Sequence, residues 1–131
     1  MPLRCIIVDD NSSFRQEISG LLEEQGIDVV GGATSGVEAL QQIADLRPDV
    51  VLLDIDLGEE SGFALARRLQ AGPHPVPKLI LISAHEENDY ADLIEASPAV
   101  GFVAKMELSA AAITRTLAAL DDSERGGDQP L

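Results

Sequence analysis

Five short apolar runs punctuate this 131-residue chain, each followed by a stretch with helical spacing, and that alternation restricts the fold more than any other feature. The runs are Leu3–Val8, Ile27–Ala33, Val50–Leu53, Leu79–Ile82 and Val100–Ala104. Continuous apolar runs of this length suit strands buried on both faces. A strand–helix order repeated five times predicts a parallel α/β sheet joined by right-handed crossovers, with helices on both faces. The chain is 45% apolar but only 3% aromatic, so its core must be aliphatic.

The punctuation between the runs agrees with that reading. Asn11 or Ser12 can cap a helix to about Gln25, with Phe14, Ile18, Leu21 and Leu22 on one face. Gly26 suits the left-handed residue that ends it. Thr34 or Ser35 can cap a second helix carrying Val37, Leu40, Ile43 and Leu46, and Pro48 follows it. Residues 56–61 read as a polar loop, and a third helix carries Phe63, Leu65, Ala66 and Leu69. Residues 71–77 are rich in breakers. A short polar helix is expected over 86–96. The last helix is expected over 107–120, with Leu108, Ala112, Ile113, Leu117 and Leu120 inward. Length predicts a single domain over 1–120. Residues 121–131 read as a disordered acidic tail or the start of a linker.

Charge narrows the function. Nine basic against 23 acidic residues leave a formal net charge of −14. Such a surface repels phosphate backbones, so direct nucleic-acid binding is not expected. The single cysteine, Cys5, lies inside an apolar run and reads as a small buried hydrophobe. No stretch is long enough to span a membrane and the N-terminus is no signal peptide, so the expected location is cytoplasmic.

Four of the apolar runs end in chemically useful groups: Asp9-Asp10, Asp54, Ser83 and Lys105. In open parallel sheets, ligands bind outside the carboxyl ends of the strands. Adjacent carboxylates such as Asp9 and Asp10 repel; a hard cation such as Mg²⁺ gives them a reason to share a site, and capping of the next helix is the plainer alternative. Asp54 is a third ligand, a nucleophile able to form an aspartyl phosphate, or both. Ser83 can donate to a phosphoryl oxygen, although serine ends many strands. Lys105 alone is equally ordinary. The coincidence of all four at strand ends of one domain carries the reading.

At these residues the sequence resembles the receiver domain of two-component response regulators, over roughly residues 3–120. The matching stretches are Ile6-Ile7-Val8-Asp9-Asp10-Asn11, Val51-Leu52-Leu53-Asp54-Ile55-Asp56-Leu57, Ser61-Gly62-Phe63, Leu81-Ile82-Ser83-Ala84-His85 and Gly101-Phe102-Val103-Ala104-Lys105. The wording around Asp54 and Lys105 is most like receivers that precede a helix-turn-helix output domain. The resemblance implies a flavodoxin-like sheet of strand order 2-1-3-4-5. It implies Asp54 as phosphoacceptor, fed by a sensor histidine kinase or a histidine phosphotransfer protein. It implies Mg²⁺ bound by Asp9, Asp10, Asp54 and the backbone carbonyl of Asp56. Ser83 and Lys105 would hold the phosphoryl oxygens, and Phe102 takes the place of the aromatic switch residue. The output surface would be helix 4, strand 5 and helix 5, facing a downstream protein or an output domain outside this chain; a homodimer is a further family expectation.

Asp56 and His85 flank the expected path of water to the phosphoryl group and are candidates for setting the dephosphorylation rate. Met106 stands where many receivers carry proline, so no cis-proline follows the lysine. Two other readings remain open. A haloacid-dehalogenase-type phosphatase also uses an aspartate nucleophile, a second Asp two residues on, a Ser or Thr, a Lys and Mg²⁺. Its last acidic motif follows the lysine, however, whereas the acidic pair here comes first. A receiver-like adaptor that binds partners without phosphorylation is the third.

Overall fold

The computed structural model describes residues 2–58, 60–72, 76–85 and 87–128. Its elements are β1 (Arg4–Val8), α1 (Ser12–Glu24), β2 (Asp28–Ala33), α2 (Gly36–Leu46), β3 (Val50–Asp54), β4 (Asp56–Leu57), β5 (Glu60–Ser61), α3 (Gly62–Ala71), β6 (Lys78–Ser83), α4 (Ala91–Ala96), β7 (Gly101–Ala104) and α5 (Ala110–Asp128). Short 3₁₀ turns cover Glu87–Tyr90 and Lys105–Glu107. The main sheet is five-stranded and parallel, in the order β2-β1-β3-β6-β7. That is the expected 2-1-3-4-5 topology, because the two-residue strands β4 and β5 form a separate antiparallel pair.

Period-two alternation along the central strands splits the core into two layers. Ile6, Val8, Val51, Leu53, Leu79 and Leu81 face one way, with Ala39 and Ile43 of α2 and Leu65, Ala66 and Leu69 of α3. Cys5, Ile7, Val50, Leu52, Ile80 and Ile82 face the other, with Ile18 and Leu22 of α1 and Ala112 and Ile113 of α5. Both faces of the sheet are therefore covered, and β3 is buried at every residue. At about 25 cal/mol per Å² of apolar surface, burial of this kind is the main term holding the sheet together.

Local signals behave as their chemistry requires. Asn11 Oδ1 accepts from the Phe14 N–H at 3.1 Å and caps α1. Gly26 has φ 94°, the left-handed turn that glycine tolerates without a Cβ clash. Ser35 caps α2 and Ser61 caps α3.

The departures are equally physical. Val37 is 72% exposed, not inward, because it lies more than 100° round α2 from the buried pair Ala39 and Ile43. Leu21 sits at the margin of its helix face, 38% exposed. Within the expected loop, Asp56–Leu57 and Glu60–Ser61 pair as the β4–β5 ladder. In the expected helix over 86–96, a 3₁₀ turn precedes a six-residue α4; Glu86 lies outside the described residues. The final helix begins at Ala110, where Ser109 Oγ accepts from the Ala112 N–H. Leu108, though outside the helix, is buried. The helical backbone continues to Asp128, eight residues past the expected end at Leu120, since no proline intervenes before Pro130. The Leu120 side chain and residues 129–131 lie outside the described residues.

Candidate functional site: an acidic pocket at the strand ends

Parallel register brings the strand ends level. Val8 pairs with Leu53, Asp54 with Ile82 and Ser83 with Ala104. The residues that follow β1 and β7, and those that end β3 and β6, therefore share one edge. Asp9 is fully buried, Asp54 is 4% and Ser83 2% exposed, and Asp10 faces solvent. Asp9, Asp10 and Asp54 each bring a carboxylate oxygen within 4.8 Å of the others.

Lys105 reaches this group from the far strand. Its Nζ lies 2.6 Å from Asp9 Oδ2 and 3.2 Å from Asp54 Oδ2. The contact with Asp54 is a hydrogen bond. The closer contact, with the fully buried Asp9, is an ion pair that partly neutralises its carboxylate. The other oxygens are held by backbone. Asp9 Oδ1 accepts from Asn11 N–H at 2.9 Å, and Asp54 Oδ1 from Asp56 N–H at 3.1 Å. The Arg15 guanidinium donates to the Asp9 carbonyl oxygen.

Burial and neighbouring charge shift these groups. Burial pushes the Asp54 carboxyl up to about 6; the Asp56 N–H opposes this, the Asp9 charge adds to it, and Lys105 offsets part. Burial alone would lower the Lys105 ammonium, but Asp9 and Asp54 more than compensate and hold it above its ordinary value. Cys5, far from this chemistry, is pushed up to about 12 by burial and is no thiolate at neutral pH.

The loop after β3 is tied down tightly. Gly62 N–H donates to the Ile55 carbonyl at 2.7 Å. A Cβ on Gly62 would lie 2.9 Å from Ile55 Cα and closer still to the Asp54 carbonyl, so only glycine fits beside the acidic strand end. Glu60 Oε2 accepts from Gly36 N–H at the start of α2, which anchors β5. The Asp56 backbone is thereby fixed next to Asp54, while its side chain is exposed.

Ser83 Oγ accepts from the His85 N–H at 3.0 Å. The exposed His85 meets Tyr90 edge-on, with ring centroids 6.1 Å apart. Phe102, on β7, pairs with Leu81 of β6 and packs, half-buried, against the layer that also receives Tyr90 and Ile94. Sequence reasoning missed Arg15 and Tyr90 and placed Phe14 only in the core. The one available signal was position, since Phe14 and Arg15 lie in the helix turn that follows the acidic pair.

The donor set suits a hard cation. Clustered carboxylate oxygens, from the buried Asp9 and Asp54 and the exposed Asp10, match the preference of Mg²⁺ for oxygen ligands. This carboxylate cluster, with an ammonium and a hydroxyl on neighbouring strands, lies at the carboxyl edge of a doubly wound sheet, where such sheets place their ligand sites.

Comparison with known proteins agrees. The response regulator receiver domain family matches residues 5–117, and the chain belongs to that family. Over 84 residues it is 40% identical to a protein-glutamate methylesterase/protein-glutamine glutaminase of Alkalilimnicola ehrlichii, covering 63% of this chain and 21% of that protein. Over 104 residues it is 33% identical to the response regulator GacA of Pseudomonas viridiflava, covering 79% of this chain and 48% of that protein. Among solved structures, the signal receiver domain of a modulated diguanylate cyclase from Desulfovibrio desulfuricans superposes with a TM-score of 0.75 at 27% identity, covering 98% of this chain and all of that one. The chain thus spans between about a fifth and a half of the length of these curated relatives. It is a receiver domain of the two-component response regulator type. No helix among the described residues is long and apolar enough to cross a membrane.

Proposed function

We propose that Asp54 takes a phosphoryl group from a phosphohistidine on a sensor histidine kinase or histidine phosphotransfer protein. The observation that carries this reading is the meeting of three carboxylates within 4.8 Å, with the Lys105 ammonium against two of them. An Asp54 oxygen attacks phosphorus, the new O–P bond forms as the donor P–N bond breaks, and the imidazole leaves with a proton. Negative charge spreads over the transferring oxygens, where the Lys105 ammonium and the Ser83 hydroxyl stabilise it by position. Asp9, Asp10, Asp54 and the backbone carbonyl of Asp56 would hold Mg²⁺, which supplies charge neutralisation between the incoming phosphoryl group and the acids.

The modified side chain carries about −1.5 to −2 charges. Ser83 then turns its hydroxyl toward the phosphoryl group and loosens its hold on the His85 N–H, and Phe102 repacks. The affected surface is α4, β7 and α5. It signals to a downstream protein or to an output domain outside this chain, or it pairs two copies as a homodimer. With a net charge of −14 this chain does not itself contact nucleic acid. The setting is cytoplasmic. Asp56 and His85 flank the acceptor and help set how long the phosphoryl group lasts; unchanged lifetimes in Asp56→Asn and His85→Ala would remove them from that role.

Intact mass after incubation with phosphoramidate, with and without Mg²⁺, tests the reading. The expected gain is about 80 Da, the mass of one phosphoryl group on an aspartate, dependent on Mg²⁺ and absent in Asp54→Asn. No gain under conditions that suppress hydrolysis would favour a phosphorylation-independent adaptor. Steady hydrolysis of unrelated phosphate esters would favour a phosphatase.

A further inference from the structure

Lys105 has a third neighbour besides the two carboxylates. Its Nζ stands over the Phe14 ring, 4.6 Å from the centroid. The Asn11 cap fixes the backbone of Phe14 at the start of α1, and the half-buried Phe14 packs against the aliphatic layer that includes Ile7 and Leu108. The Lys105 side chain is 17% exposed, held between the ring and the acids.

We propose that Phe14 is a positioning residue for Lys105, keeping the ammonium beside Asp54 while its carboxylate partners change. The proposal rests on Asp54 being the phosphoacceptor. In this structure the ammonium lies closest to Asp9, at 2.6 Å. A cation bound by that carboxylate competes directly with the lysine, and the lysine must then serve phosphoryl oxygens instead. A lysine ammonium is a strongly hydrated charge on a flexible stem, so without another anchor it drifts into solvent. The electron-rich ring face attracts the cation without occupying a donor or competing for a carboxylate. An aliphatic residue of similar volume would fill the space and lose that attraction.

Mono-, di- and trifluorophenylalanine placed at position 14 drain the ring's negative face stepwise with little change in size. In full-length protein at saturating Mg²⁺, the rate of phosphoryl gain from phosphoramidate should fall with each fluorine. The total fall should be about two- to fivefold, the range of a cation–π contact. The variants should melt together, and the gradient should vanish in a Lys105→Met background. In metal-free protein the Lys105 Hε proton resonances should be shifted upfield by the ring and return to ordinary positions in Phe14→Leu. A flat rate series, a gradient that survives Lys105→Met, or unshifted Hε resonances in the wild type would each overturn the role. A wild type that acquires no phosphoryl group would instead bring down the acceptor reading, and this role with it. Phosphorylation with a flat series would remove Phe14 alone.

Discussion

The acidic strand edge and the α4 flank lie on the same sheet but are built differently. At the edge, Asp9 and Asp54 sit at the ends of strands whose apolar residues are all but inaccessible, and backbone N–H groups hold their carboxylates. α4 is six residues long, buries none of them, leaves Leu93 52% exposed and has no side-chain cap at Tyr90. Sparse apolar contact and a missing cap mark low local stability. Under the proposed function this contrast would suit a switch, with chemistry at a fixed place and a lightly held segment beside it.

The sharpest way to break the contrast is at Lys105. Lys105→Met leaves the buried Asp9 charge without its counterion, which should cost about 3–5 kcal/mol in metal-free protein at neutral pH. Urea unfolding with and without Mg²⁺ would measure it. Mg²⁺ should recover much of the loss in this variant and less in the wild type; equal effects of Mg²⁺ would mean the lysine does not neutralise the pocket.

Next come paired truncations. Leu52→Ala in fully buried β3 should cost about 2–5 kcal/mol. Leu93→Ala should cost no more than about 0.5 kcal/mol, the range of surface changes. Comparable losses would erase the distinction between the two regions. Hydrogen exchange offers a third view: backbone amides over 91–97 should exchange well before those of β3, whose opening approaches global unfolding.

The smallest effect is on pH. Burial pushes the Asp54 carboxyl up to about 6 in the fold, above its ordinary 3.8, so the folded state should bind an extra proton between those values. Its contribution is fully present below about 3.8 and is lost as pH rises through about 6. Without divalent cations, the urea midpoint of wild type relative to Asp54→Asn should therefore rise as pH is lowered from 7 to 5. A constant difference would mean that Asp54 is no more buried in its charged form than in the unfolded chain.

Much of this molecule was legible in advance because its signals are local. Runs such as Val50–Leu53 declare strands by hydrophobicity alone, and Asn11, Gly26 and Ser35 mark helix ends by hydrogen bonding and backbone freedom within a few residues. The same locality explains the errors. Val37 and Leu21 are apolar at nearly the right spacing, but which side of a helix meets the sheet depends on the neighbouring layer. The β4–β5 ladder needs cross-chain pairing that a polar composition conceals.

Sequence by itself determined the α/β alternation, the aliphatic core and the chemical groups placed at strand ends, since each follows from residue type and short spacing. Only the tertiary structure decided that Lys105 would pair with Asp9 as well as Asp54, that Asp9 would be fully buried, and that Phe14 would lie under the ammonium. Those contacts join residues tens of positions apart through the lateral order and register of the strands. That order is a property of the packed sheet, and no run along the chain encodes it alone.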